Sequence, residues 1–452
     1  MSKTESHKVV YLTAGAGGMF CGSCMHDNAL TRSLSEYGWD VSLIPAYTPI
    51  RTDEQDVSVD HVFFGGINVF LQQKIPLFRY LPAAMDRFLD NPKLIRRVTA
   101  KAMETDAKTL GKLTLSMLKG MDGNQRKEVR RICDWLELNR PDLMVFSNIL
   151  IGGCIEEIKQ RLGLPIVVTL QGDDVFLDSL QEPWRQQTLD RIAEIGEHVD
   201  LFLVHSHFYR NYISDYLGLD KAKFRVTPLG LELDDFQKFR ELSDSVADAN
   251  QKERVVGYLA RLAPEKGFHH LVDAFIDLKS KSGFEDVKLK VAGWLSGQDR
   301  DYANGCFDKL RSAGLGDEFD YAGPIERDDK LEFLRGIDVF SVPADYLEPK
   351  GLYGLEAMAA GVPVVAPDHG AFPAMARETG GMVMFRARDA SALSQSLQDL
   401  LGDPLRCAEI GQRGQASVFA KRNSVAMAKA TVDVFLNVLG EHAAGNKSEP
   451  HA

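Results

Sequence analysis

Lys8-Val9-Val10-Tyr11-Leu12-Thr13-Ala14 runs into Gly15-Ala16-Gly17-Gly18, and the reading of this stretch decides the fold. A β-branched and aromatic run that breaks into glycines is a short buried strand ending in a tight turn. The spacing then predicts a helix from about Cys24 to Tyr37, stopped by Gly38, and a second strand from Asp40 to Ile44. Strand, glycine turn, helix and strand open a parallel doubly wound sheet, because parallel strands need a long crossover and a helix supplies it.

The pattern recurs outward from there. Asp142 to Ser147, Pro165 to Leu170 and Leu201 to His205 read as buried strands with helical segments between them. An acidic, irregular stretch from Leu231 to Asn250 breaks the composition. The pattern then restarts. Arg254 to Leu259, Val287 to Ala292, Val339 to Val342 and Val362 to Ala366 read as strands, and Gly267 to Lys279 and Gly354 to Ala360 as helices. A last helix is expected from about Asn423 to Leu439, with a polar, disordered tail from Gly440. The chain of 452 residues suits two domains of about 200 residues each. The expected division is an N-terminal domain over 1–235 with a helical insert at about 66–131, completed by the helix at about 423–440, and a C-terminal domain over 236–422. Two such α/β sheets are expected to face each other across a cleft, with ligands at the C-terminal ends of their strands.

Composition narrows the function. The net charge of -11 makes the chain a poor nonspecific binder of nucleic acid. No run approaches the roughly 18 apolar residues of a membrane span, and the N-terminal apolar run is too short for a signal peptide, so a cytoplasmic chain is expected. Six cysteines in a chain of this length do not form a disulfide framework. Cys21-Gly22-Ser23-Cys24 at a helix start could be a redox pair of lowered pKa, with His26 as a further metal donor, but packing of small residues is the plainer reading. A zinc site wants four ligands, and there is no second Cys-x-x-Cys.

Chemistry concentrates in two motifs. Glu348-Pro349-Lys350-Gly351-Leu352-Tyr353-Gly354-Leu355-Glu356 places two carboxylates around a glycine-containing loop that leads into a small-residue helix. Carboxylates accept hydrogen bonds from sugar and ribose hydroxyls, and the open amides of a helix start suit phosphate or sugar oxygens. The plainer alternative is a capping acid plus a solvated one. Gly257-Tyr258-Leu259-Ala260-Arg261-Leu262-Ala263-Pro264-Glu265-Lys266-Gly267 sets two cations, Arg261 and Lys266, in the loop after a strand, where a diphosphate would need neutralising. Taken alone, they also read as surface cations.

Together with Ala322-Gly323-Pro324, Thr227-Pro228-Leu229-Gly230 and Ala359-Ala360-Gly361-Val362-Pro363-Val364-Val365, these motifs resemble the retaining glycosyltransferases of family 4 (glycosyl transferases group 1) over nearly the whole chain. The resemblance implies the GT-B architecture of two Rossmann-like domains, with the last helix crossing back to the N-terminal domain. It implies transfer of a sugar from a UDP-, GDP- or ADP-sugar to an acceptor hydroxyl with retention of configuration. Arg261 and Lys266 would hold the donor diphosphate and Glu348 the donor sugar. The amides of Lys350, Gly351 and Leu352 would hold sugar hydroxyls or phosphate, Glu356 the ribose, Gly323 the base, and Gly17 and Gly18 would approach the diphosphate. Two departures stand out. Gln171-Gly172-Asp173-Asp174 lies where many members carry a histidine, which leaves Asp173 as the candidate replacement. Gly370-Ala371 replaces a glycine pair, and Ala374 stands where an acid is common.

No cofactor and no catalytic metal are expected, since the acid pairs Asp173-Asp174 and Asp234-Asp235 are adjacent and not alternating as in an Asp-x-Asp metal site. A GT-B epimerase or phosphorylase and a catalytically silent nucleotide-sugar-binding protein are the competing classes. The acceptor is expected to be a glycan, a lipid-linked molecule or a small molecule. Lys74 to Arg131 holds fourteen Lys or Arg against six Asp or Glu, a local net charge of +8. That segment reads either as a helical insertion packed on the N-terminal domain or as an acceptor or anionic-membrane patch, which would place the chain peripherally at the inner membrane surface.

Overall fold

The structure, a computed structural model, describes residues 6–15, 21–59, 65–75, 78, 107–242 and 253–448. Its chain forms two compact units, Met1–Pro228 with Ser424–Ala452, and Leu229–Asn423. The first unit holds six strands: β1 Lys8–Thr13, β2 Asp40–Pro45, β3 Leu143–Phe146, β4 Ile166–Thr169, β5 Leu201–Val204 and β6 Phe224–Val226. Every pairing is parallel, in the order β2-β1-β3-β4-β5-β6. Side chains alternate between two cores, as the period of a strand demands. Val10, Leu12, Met144, Phe146 and Val168 point into one. Val9, Tyr11, Leu143, Val145 and Val167 point into the other.

The second core is closed by the helix Gly22–Glu36, through Cys24, Leu30 and Leu34, and by the last helix, through Met427, Val432 and Phe435. Trp39 and Phe435 meet with ring centroids 5.9 Å apart. That last helix spans Ser424–Ser448, so the expected disordered tail from Gly440 is corrected. Glu441, Ala443 and Ala444 favour helix, and Gly440 faces open space.

The helix Arg126–Asn139, which starts at the end of the basic segment and runs past it, buries Val129, Ile132, Cys133 and Leu136 in the first core. It is part of the crossover between β2 and β3. Arg131 pairs with Glu128 at 3.0 Å, and Lys127 Nζ donates to the Phe78 carbonyl at 2.8 Å. Arg79, Arg87, Lys93, Arg96, Arg97 and Lys101 lie outside the described residues.

The second unit holds β7 Val255–Leu259, β8 Lys288–Ala292, β9 Phe319–Tyr321, β10 Val339–Ser341, β11 Val364–Pro367 and β12 Met382–Phe385. All are parallel, in the order β12-β11-β10-β7-β8-β9. Chain order thus reverses between β7 and β10, and the crevice beyond the strand ends at such a switch point is where open α/β sheets bind ligands. The unit starts before the acidic stretch because Leu231 N–H donates to the Arg422 carbonyl at 2.8 Å and Arg327 pairs with Asp235 at 3.1 Å. Gln237–Leu242, expected to be irregular, is a helix, and residues 243–252 lie outside the described residues. Among the described residues no helix is long and apolar enough to cross a membrane.

Candidate functional site

The loops that leave β7 and β10 carry the two sequence motifs, so both arrive at the switch point of the second sheet. They are held together by close backbone packing. Gly267 has φ +69°, and a Cβ there would lie 1.8 Å from the Pro343 carbonyl oxygen, so glycine alone lets the Lys266 turn sit on the β10 loop. The Asp345 amide donates to the Glu265 carbonyl at 2.9 Å. Gly370 plays the same part from the β11 side, since a Cβ there would meet the Glu348 backbone N and O at 2.7 Å. The glycine that survives of the expected pair therefore supports Glu348 directly.

Glu348 is the centre of this arrangement and is 3% exposed. Lys266 Nζ donates to its Oε2 at 3.3 Å, Tyr353 OH at 2.9 Å, and Tyr346 OH also donates there. The Gly351 and Lys350 amides donate to Oε1 at 3.1 and 3.4 Å. Burial alone would raise this carboxyl, but Lys266 and the donors around it outweigh burial and hold it at about 2. Glu348 is a carboxylate at any working pH. Burial and the Glu348 charge push the Tyr346 and Tyr353 hydroxyls well above their ordinary value, so both remain donors. Lys266 Nζ also lies 4.6 and 5.0 Å from the centroids of the Tyr346 and Tyr353 rings. Neither tyrosine was singled out in the sequence. The signal available was their place, two residues before and five after a glutamate that needs donors to be buried.

The other expected residues fall around this centre. Arg261 is partly exposed and pairs with Glu265 at 2.6 Å, while its carbonyl accepts from Tyr258 OH at 2.9 Å. Glu356, on the helix Leu352–Ala359, pairs with Lys330 at 2.6 Å, and both are buried. Lys330 lies far from the motif in sequence and was not foreseen. Gly351 caps that helix with φ +65°. Gly323 follows β9, and its carbonyl accepts from the Gly293 amide at 2.8 Å. Gly293 in turn packs against Ala260, where a Cβ would lie 1.8 Å from the carbonyl oxygen. The ends of β7, β8 and β9 are thereby joined.

The first unit has its own polar centre at the ends of β1, β3 and β4. Asp27, fully buried, accepts from Thr13 Oγ1 at 2.7 Å, Tyr11 OH at 3.0 Å and Gln171 Nε2 at 3.0 Å, with His26 Nδ1 at 3.2 Å. Sequence reasoning passed over Asp27, although it lies in the first turns of the helix after the glycine loop. Gln171 also donates to the Ser147 carbonyl at 3.3 Å. Asp173 spends both oxygens on backbone, accepting from the Ile149 amide at 3.0 Å and the Gln171 amide at 3.1 Å. Burial raises it to about 7 against the lowering effect of those amides. Asp174 accepts from Tyr209 OH at 2.7 Å. Ser206 caps the helix His207–Leu217 by accepting from the Tyr209 amide. Cys24 sits in the apolar core, and its hydrogen bond with Cys21, then burial, raise its thiol well above the ordinary value. That is the opposite of an activated thiolate and agrees with the packing reading. Gly17 and Gly18 lie outside the described residues.

Residues 239–417 match the family model described as glycosyl transferases group 1. The second unit is a group 1 glycosyl transferase domain. Over 273 residues the chain is 28% identical to D-inositol 3-phosphate glycosyltransferase of Kineococcus radiotolerans, covering 57% of this chain and 61% of that one. It is 30% identical over 164 residues to mannosylfructose-phosphate synthase of Agrobacterium fabrum, 35% of each chain. It thus spans less than two thirds of the length of these curated relatives. Among solved structures it resembles sucrose-phosphate synthase from Thermosynechococcus elongatus, with TM-score 0.68 at 19% identity over 96% of this chain and 100% of that one. It also resembles Anabaena HepE in complex with UDP, with TM-score 0.66 at 15% identity over 95% of this chain and 100% of that one. With the two parallel sheets, these likenesses show the two-domain α/β GT-B fold.

Proposed function

We propose that this group 1 chain transfers a sugar from a nucleoside diphosphate to an acceptor hydroxyl and keeps the anomeric configuration. The observation that carries the reading is the ionised, buried Glu348 beside Lys266 at the switch point of the second sheet. Lys266 and Arg261 neutralise the departing diphosphate, which is where charge grows in the transition state. Glu348, always a carboxylate, accepts from hydroxyls of the donor sugar. Glu356 and its partner Lys330 hold the ribose, and Gly323 borders the base. No metal acts at the reacting atoms, so added Mg²⁺ leaves the rate unchanged. The names of relatives acting on inositol phosphate make a polyol phosphate the first acceptor to try among glycan, lipid-linked and small-molecule candidates.

Thermal unfolding with UDP, GDP and ADP tests the donor site. One of them at 100 times its Kd should add about 2.7 kcal/mol of stability. No shift with any of the three at millimolar concentration sinks the reading. Glu356→Gln, which keeps the shape beside Lys330, should weaken that nucleotide by about 10-fold or more. Proton NMR of fresh product reports the anomer, and an inverted product ends the retaining assignment. The basic segment supports a peripheral membrane acceptor, with each cation near an anionic leaflet worth about 1 kcal/mol. Sedimentation with anionic vesicles should fall with salt and with Arg96→Glu, Arg97→Glu and Lys101→Glu together. Failure to bind anionic vesicles leaves a soluble acceptor.

A further inference from the structure

Outside the Glu348 cluster, three metal-ligating side chains converge on one point. His269 and His270 open the helix Phe268–Lys279, and Asp345 lies in the loop after β10. His270 Nε2 is 2.8 Å from Asp345 Oδ1, and His269 Nε2 is 3.6 Å from Asp345 Oδ2. One donor atom from each residue lies within 4.8 Å of the others. Ligands about 2.1 Å from a tetrahedral Zn²⁺ sit about 3.4 Å apart; the His269–Asp345 Oδ2 separation is close to that value, and the shorter His270 contact is to the other carboxylate oxygen. The supporting contact is also present. His269 Nδ1 is 2.8 Å from Tyr302 OH, which leaves Nε2 facing the carboxylate and fixes the ring. All three residues are partly exposed, so a cation can enter and keep a water as its fourth ligand. Arg388 Nε donates to Asp345 Oδ1 at 3.2 Å from an exposed side chain, and a cation would displace it.

We propose that His269, His270 and Asp345 bind one borderline divalent cation, Zn²⁺ in preference to Mg²⁺ or Ca²⁺. Two imidazole nitrogens and one carboxylate oxygen suit Zn²⁺, whereas Mg²⁺ and Ca²⁺ want oxygen throughout. The cation is a clamp rather than a reagent. Asp345 precedes Tyr346 and donates its amide to Glu265, so a bound ion ties the helix start to the loop that carries Tyr346 and Glu348 without touching either. That consequence, though not the site itself, rests on the donor-site reading of this loop.

The test uses the full chain, stripped with chelator and titrated with Zn²⁺ against a chromophoric competitor. One Zn²⁺ per chain is expected. His269→Ala and Asp345→Asn should each weaken it by roughly 100-fold or more, and Tyr302→Phe by about 10-fold. Variants are compared only where their metal-free melting temperature matches that of the metal-free parent. Co²⁺ on the unaltered chain provides a second readout that no variant can spoil: tetrahedral ligand-field bands without thiolate charge transfer. Absence of binding, binding undiminished in the variants, or a thiolate band, which would move the ion to Cys21 and Cys24, overturns the proposal. Nucleotide-induced stabilisation, measured separately on the stripped chain, reports on the donor site alone.

Discussion

Glu348 and Asp173 are both buried carboxylates at the ends of parallel strands, one in each unit, yet their environments drive them in opposite directions. Each accepts two backbone amides. Glu348 adds an ammonium and two phenols and is held at about 2. Asp173 is pushed up to about 7 by burial, with Asp174 as a like-charged neighbour. The difference shows what amides can and cannot do. They orient a buried carboxylate, but a charge partner is needed to keep it ionised. Glu348 is thus built to present fixed negative charge, while Asp173 is built to hold a loop.

The largest effect should come from removing the cation that separates the two cases. Lys266→Met leaves Glu348 without a cation, as Asp173 is, though still with its two phenols, and also strips a charge from the proposed diphosphate site. Turnover should fall by about 100- to 1000-fold. A loss under 10-fold would mean that Lys266 serves packing against the tyrosine rings and not the leaving group.

The second test sets the two acids against each other through stability and pH. Glu348 is lowered from 4.5 to about 2, so its contribution is present above pH 4.5 and is lost as pH falls through 2. The shift corresponds to about 3 kcal/mol. Asp173 is raised from 3.8 to about 7, so its contribution is present below 3.8 and is lost as pH rises through 7. Denaturant unfolding across pH should therefore lose its acid limb in Glu348→Gln and its neutral limb in Asp173→Asn. Each limb has a slope of at most about 1.4 kcal/mol per pH unit. Two variants with the same profile would erase the distinction.

Sequence carried the fold because the strands announce themselves through apolar runs and glycine exits. The strands Phe224–Val226, Phe319–Tyr321 and Met382–Phe385, all at sheet edges, were not legible in the sequence; Arg225 and Asp320 interrupt the apolar run in the first two. The candidate site was legible where a motif is local, as in Arg261 to Gly267 and Glu348 to Glu356. It was illegible where partners meet only through the fold. Lys330 reaches Glu356 from another helix, and Gln171 reaches Asp27 from another strand end. Propensity cannot report such pairs, because it describes neighbours along the chain. The tail beyond Gly440 shows the converse, since its polar composition concealed good helix formers.

The smallest effect concerns a single hydroxyl. Tyr353 OH donates to Glu348 Oε2 at 2.9 Å, and Lys266, Tyr346 and two amides remain when it is removed. A hydrogen bond to a charged group contributes about 1.5–3 kcal/mol. Part of that is recovered in Tyr353→Phe because the ring still fills its place and the remaining donors can close on the carboxylate. The acid limb assigned to Glu348 should then move up by about one pH unit, because the charged form loses one donor while burial is unchanged. Turnover at neutral pH should change by less than about 10-fold, since Glu348 stays ionised there. If the limb does not move, the hydroxyl is not among the groups that hold Glu348 ionised. If turnover collapses while the limb moves as expected, Tyr353 contacts the donor itself, and the division between the group that presents charge and the groups that support it must be redrawn.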